Sequence, residues 1–344
     1  MRSMNEAHHN GHTATLFRNG NVLIAGGLTA DDTTTATAAI YNPATGGWTS
    51  AAPMKTPRNH HTATLIENGR VLVTGGICQD FRATESPYTT HGTAELYDQD
   101  TDRWIPAGTM STPRSMHTTT VLHDGRALVC GGEPSTEIYD PRTGVWSAAG
   151  AMATGRRGHS ATLLDDGKVL VAGGYNGSEA LHTAEIYDSA TGAWSRAGSM
   201  ATARGFHTSV GLHGAHGGLV LVIGGLNANF PLPDGFPGLA SAEIYDVKTG
   251  AWRSAGTMSS PRFLHSATVL VDGTVLVAGG EHQDISVLRS MEIYHPNTNT
   301  WIAARDLITP RASHTATVLH NGQVLIAGGF FIGTALSTAE LFTA

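Results

Sequence analysis

Residues 159–200 read HSATLLDDGKVLVAGGYNGSEALHTAEIYDSATGAWSRAGSM. Two β-rich runs, HSATL and KVLVAG, are separated by Asp166-Gly167, a residue pair that suits a tight type I′ hairpin. A third run, TAEIYD, passes through Thr191-Gly192 into a fourth that carries Trp194. Four short antiparallel strands are therefore expected in this one stretch.

The same unit recurs in both directions along the chain. Its opening histidines are His12, His61, His117, His159, His207, His265 and His314, and its Gly-Gly pairs begin at Gly26, Gly75, Gly131, Gly173, Gly224, Gly279 and Gly328. The third-run aromatic is Tyr41, Tyr97, Tyr139, Tyr187, Tyr245, Tyr294 and finally Phe342; the tryptophans are Trp48, Trp104, Trp146, Trp194, Trp252 and Trp301. A four-stranded unit repeated every ~50 residues is the pattern of propeller blades, each burying its faces against its neighbours. The expected fold is all-β, a single seven-bladed β-propeller over residues 1–344 with four-stranded antiparallel blades, the last lacking its own Trp strand. By register that missing Trp falls just before Met1, so either residues 1–6 supply a short substitute strand or none does.

The double glycine, the third-strand Tyr and the fourth-strand Trp together resemble the kelch repeat family, over essentially the whole chain. In that family the first strand lies innermost, which agrees with its Thr and Ala content. A more distant resemblance is to copper radical oxidases of the galactose-oxidase type, which place a Tyr-His pair at this strand start. Here the residues before the opening histidines are Gly11, His60, Met116, Gly158, Phe206, Leu264 and Ser313, and the one Tyr-His pair, Tyr294-His295, ends a third strand. The likeness thus does not extend to a copper radical site.

Composition narrows the function classes. Asp and Glu outnumber Lys and Arg, 28 to 21, for a net charge of −7, and no basic block offsets it, which argues against a nucleic-acid partner. The cysteines, Cys78 and Cys130, do not indicate a disulfide framework. The N-terminal residues carry no apolar signal core and no run reaches membrane-span length, so a cytoplasmic protein is expected, with secretion after signal removal as the alternative.

Residues present in nearly every unit are expected to hold the scaffold. Arg58, Arg114, Arg156, Arg204, Arg262 and Arg311 stand three residues before the opening histidine, and their units carry Glu95, Glu137, Glu185, Glu243, Glu292 and Glu340. The first unit has His9 and Ala39 instead, so both partners vanish together, as a repeated Arg–carboxylate pair requires. The opening histidines are read as structural, each bonding a neighbouring loop backbone. The alternative is a divalent metal, since imidazole suits Zn, Cu, Fe and Ni, with His61, His117, His159, His207, His265 and His314 as candidate ligands.

Function on a repeat scaffold lives where the repeat is broken. Segments after Gly-Gly and before the opening histidine share one face. In the kelch domain of the oxidative-stress sensor proteins such segments hold an acidic peptide with arginines and tyrosines; here they are mixed, with one arginine, and that ligand is not supported. Glu133 and Glu281 are the carboxylates directly following Gly-Gly; with His117 and His265 they are the candidate general acids and bases. Arg157, Tyr175, Phe206, Phe263, His282 and Phe330 are the candidate ligand-binding residues. The long fifth-unit insertion carries Phe230 and Phe236, and an HxxH pair, His213 and His216, lies in a turn on the far face. Two functions follow: a binding module for a small molecule or extended peptide, or an isomerase, lyase or cyclase acting at the same face. Sialic acid mutarotases and plant nitrile specifiers are stand-alone kelch propellers with enzymatic roles.

Overall fold

The computed structural model describes all residues except 1–2, 5, 80–86, 213–215, 229–236 and 344, so Phe230, Phe236 and His213 lie outside the described residues. Six four-stranded antiparallel sheets and a seventh of three strands follow one another along the chain, with three small two-stranded hairpins beside them. These are the seven blades of the propeller fold. In the fourth blade the strands are Ser160–Leu163, Val169–Ala172, Thr183–Asp188 and Ala193–Ser199, paired in that order. The last blade has Thr315–Val318, Val324–Ala327 and Ala339–Phe342, and no fourth strand among the described residues. By contacts the chain divides into two compact units. One comprises Met1–Gly132, Glu137–Ala148 and Ser313–Ala344; the other comprises Glu133–Thr136 and Ala149–Ala312.

The second strand of the blade carries the core. Its four residues are fully buried in the first, second, fourth, sixth and seventh blades, because VLVA-type sequences are covered on both faces. The Tyr and Trp of adjacent strands pack at 5.0–5.2 Å between ring centroids. From the second blade to the sixth the Trp indole N–H then donates to an alanine carbonyl of the preceding blade, as in Trp104 to Ala52 (2.6 Å) and Trp252 to Ala197 (3.0 Å).

Outside the fifth blade, the first hairpin differs from the expected type I′ turn. The glycine is left-handed, with φ of 88° at Gly20 and 82° at Gly167, while the preceding Asn19 and Asp166 are not. The glycine N–H donates three residues back, Gly20 to Phe17 and Gly167 to Leu164, which makes a type I turn closed by a glycine bulge. Asn19 and Asp166 accept the backbone N–H two residues on, stabilising the right-handed conformation at their own position.

The repeated arginine and glutamate do pair. Arg58–Glu95, Arg114–Glu137, Arg156–Glu185, Arg204–Glu243 and Arg262–Glu292 lie at 2.8–3.3 Å, each guanidinium with no exposed side-chain surface. The fourth-blade pair has further partners on both sides. Arg156 also donates to the carbonyls of Gly173 and Thr183, and Glu185 accepts the backbone N–H groups of Ala153 and Thr154. The glutamate therefore fastens the connection entering its blade as well as the arginine within it.

In the first blade the structure corrects the register. His8, not His9, takes the arginine's place: its carbonyl accepts Gly329 N–H as Arg58 accepts Gly27 N–H, and its Nδ1 bonds the Gly26 carbonyl at 2.7 Å. Met4 N–H likewise donates to Ser337 as Met54 N–H donates to Ala36. His9 instead packs against Phe330, with tilted rings at 4.7 Å between centroids.

Candidate functional site

The opening histidines are buried; four reach strand hydroxyls of the preceding blade, and His12 reaches the backbone carbonyl of Ala327 in the seventh blade at 3.3 Å. His61 shares a hydrogen bond with Thr13 (3.0 Å), His117 with Thr74 (2.9 Å), His207 with Ser160 (2.9 Å) and His265 with Thr208 (2.9 Å). Their rings lie against the first glycine of the preceding Gly-Gly pair: a Cβ at Gly26, Gly75, Gly173 or Gly224 would sit 2.7–2.8 Å from the imidazole. Burial lowers the imidazoles of His61, His117 and His207 strongly, to about 3 at both His117 and His207, so they are neutral wedges between blades. His159 and His314 are buried in the same way. Among the described residues no group of three or more His, Cys, Asp or Glu side chains is arranged to hold a metal ion.

The residue before each opening histidine is held in the left-handed region. Gly11 and Gly158 adopt it without strain, at φ of 67° and 60°, but His60, Met116, Phe206, Leu264 and Ser313 also do, at 50–52°. A non-glycine residue there costs about 1 kcal/mol or more. The backbone at this position is bonded from blade to blade, His60 N–H to Gly11, Met116 to His60 and Phe206 to Gly158, so the conformation is dictated by the scaffold.

Within the fourth to sixth blades the residue one further back, two before the opening histidine, meets the segment after Gly-Gly. Arg157 bridges Tyr175, Gly205 bridges Leu226 and Phe263 bridges Glu281. Tyr175, Leu226 and Phe263 form a buried apolar cluster, with Phe206 and Leu264 packed half-exposed against it. The Tyr175 and Phe206 rings are tilted at 5.5 Å, and the Tyr175 hydroxyl donates to the Leu226 carbonyl. Burial pushes the Tyr175 hydroxyl up to about 12, keeping it a donor.

Gly205 explains how the tyrosine fits: a Cβ there would lie 2.1 Å from the Tyr175 ring. Gly205→Ala is therefore expected to lower stability and displace Tyr175, and Tyr175→Ala is expected to rescue the fold in the double variant. Thermal unfolding of the three proteins checks this, with no rescue as the contrary result.

Glu281 occupies the repeat position held by Tyr175 and Leu226. It is half-buried, and no hydrogen bond or ion pair engages its carboxyl among the described residues. Burial raises its pKa. The other candidates do not join it. Glu133 and Arg157 are exposed, and His282, one residue along the strand, bonds Asp284 of its own hairpin at 2.8 Å. Phe330 belongs with His9, and His216 of the fifth blade bonds Asn297 in a turn of the sixth. The αL position was not legible as such, although glycine at Gly11 and Gly158 was the available signal.

The kelch motif family model matches residues 156–201, 213–259 and 262–307. No curated protein matches. Among solved structures, a fungal alcohol oxidase of the AA5 family in complex with copper superposes at a TM-score of 0.79 with 18% identity, over 99% of this chain and 74% of its own. The protein YjhT superposes at 0.66 with 16% identity, over 88% of this chain and 99% of its own. At these identities the likeness is one of fold. With the matched motifs, six four-stranded blades and a seventh of three strands, the fold is a kelch-repeat β-propeller.

Proposed function

We propose that this kelch protein is a binding module that captures a small molecule or extended peptide on the Gly-Gly face of its fourth to sixth blades. The observation that supports it is the retention of Phe206 and Leu264 in a strained conformation that Gly158 adopts freely. The scaffold does not require those side chains, so a ligand-facing role accounts for their presence. They offer half-exposed apolar surface beside a buried aromatic cluster, with the Glu281 carboxyl at the equivalent position of the next blade and the Arg157 guanidinium exposed at its edge. Apolar lining with a few polar groups is the usual constitution of a ligand site.

Phe206→Gly removes both strain and ring, so its unfolding free energy should stay within about 1 kcal/mol of the parent while binding is lost. A fragment library screened by ligand-observed NMR against both proteins measures this. Hits that bind Phe206→Gly unchanged would refute the assignment.

A second reading, an isomerase, lyase or cyclase using Glu281 as proton donor, is favoured by the raised pKa of that half-buried carboxyl. Glu281→Gln distinguishes the two: an enzyme loses turnover with ligand binding retained. His117 and His265 are committed to inter-blade hydrogen bonds and do not suit acid–base roles, and Glu133 is solvated. A copper centre like that of the fungal oxidase does not fit the residues present, since the opening histidines lack adjacent tyrosines and His61, His117, His207 and His265 bond strand hydroxyls.

A further inference from the structure

Away from the Gly-Gly face, the first and second blades enclose a cleft of about 390 Å³ between their hairpin turns, lined by Phe17, Arg18, Asn19, Asn68, Gln99 and Asp100 among others. Three of these residues are departures from the repeat. The Arg18 position is Glu67, His123, Asp165, Val271 or His320 in the other blades with this turn. The Gln99 position is otherwise Pro43, Pro141, Ser189, Val247 or Pro296, and the Asp100 position is Ala44, Arg142, Ala190, Lys248 or Asn297. Nothing in the blade scaffold asks for an arginine, an amide and a carboxylate there, yet all three meet in one cleft.

Their bonding is incomplete in a complementary way. Arg18 donates through Nη2 to the Glu67 carbonyl but has no carboxylate partner among the described residues. Asp100 has no cationic partner there either, because Arg70 is held by Asp98 at 2.9 Å. The Gln99 Oε1 is buried and accepts no hydrogen bond. Asn19 and Asn68 commit their oxygens to their own turns, which leaves their NH₂ groups to donate.

We infer that this cleft is a binding site for a small zwitterion, a free α-amino acid, from the convergence of unpaired Arg18, unpaired Asp100 and the orphaned Gln99 carbonyl. The ligand carboxylate pairs with Arg18 and the asparagine amides, and its ammonium donates to Asp100 and Gln99 Oε1. A neutral sugar fits less well, because the only aromatic ring in the lining, Phe17, is buried and offers no face for stacking. A phosphate fits less well because one free arginine stands beside two carboxylates. The site is independent of the proposed Gly-Gly face function.

The test is a panel of the twenty free amino acids at millimolar concentration, read by ligand-observed NMR with the full chain. Any hit is repeated as its N-acetyl and carboxamide forms, and methyl α-glucoside is the polyol control. At least one free amino acid is expected to bind, either block weakening it tenfold or more. Arg18→Ala and Asp100→Asn should each weaken it to a similar degree with an unchanged melting temperature, since both side chains are exposed. The inference is overturned if none of the twenty binds, if blocked forms or the glucoside bind as well, or if both variants bind normally.

Discussion

Glu185→Ala is expected to lower the unfolding free energy by about 3–5 kcal/mol, among the largest single effects in the chain. The substitution leaves the Arg156 guanidinium buried without its counter-charge and strips two backbone N–H groups, those of Ala153 and Thr154, of their acceptor. Each loss is the kind that costs most in a protein interior. Replacing both members with apolar residues, as in Arg156→Met with Glu185→Leu, should recover only part of the loss, because the Gly173 and Thr183 carbonyls then lose their donor. Urea denaturation gives the comparison. A Glu185→Ala protein within about 1 kcal/mol of the parent would remove the Arg–Glu pairs from the framework.

Acid is expected to unfold this protein early. An imidazole whose pKa is lowered by folding stays neutral in the folded chain and takes up a proton when unfolded. Stability is then fully present above the ordinary value of 6.5 and is lost as pH falls from there toward the folded pKa. With His117 and His207 lowered to about 3, each removes on the order of 2 kcal/mol between pH 6.5 and 4.5. His61, His60, His9 and His8 are shifted in the same direction by burial and steepen the loss. Carboxylates held low by hydrogen bonds, such as Asp272, act only at lower pH, so the fall between pH 6.5 and 5 belongs to the histidines. Denaturation midpoints measured across pH 8 to 4.5 test the point. A flat profile over that range would contradict the buried, neutral assignment of the wedge histidines.

The seven blades were legible because each strand, turn and aromatic recurs at a fixed offset, and the Arg–Glu pairs because both members disappear together in the first unit. The one-residue slip from His9 to His8 was hidden by two adjacent histidines. Counting from the methionine would have resolved it, since Met4 stands four residues before His8 as Met54 stands before Arg58 and Met200 before Arg204. The hydroxyl partners of the opening histidines were not legible, because the bond runs to another blade and depends on how closely the glycine lets the ring approach. The same holds for the strained position before them. His60, Met116, Phe206, Leu264 and Ser313 share no chemistry, and only the backbone shows that they share a conformation. Of the candidate site, Arg157, Tyr175, Phe206, Phe263 and Glu281 were found as departures from the repeat. His282, next to Glu281, bonds Asp284 of its own hairpin, a contact set by the local turn rather than by the repeat.

The central claim is that the repeat builds the scaffold and that ligand recognition sits where the fourth to sixth blades depart from it. Methyl NMR of a leucine-labelled protein titrated with fragment hits tests it most directly. Leu264 lies at the half-exposed edge of the aromatic cluster and Leu226 within it, whereas Leu164 and Leu170 belong to the fourth-blade core. The account predicts that hits shift the Leu264 and Leu226 methyl signals and leave Leu164 and Leu170 in place. Hits that bind without moving Leu264 or Leu226 would contradict it.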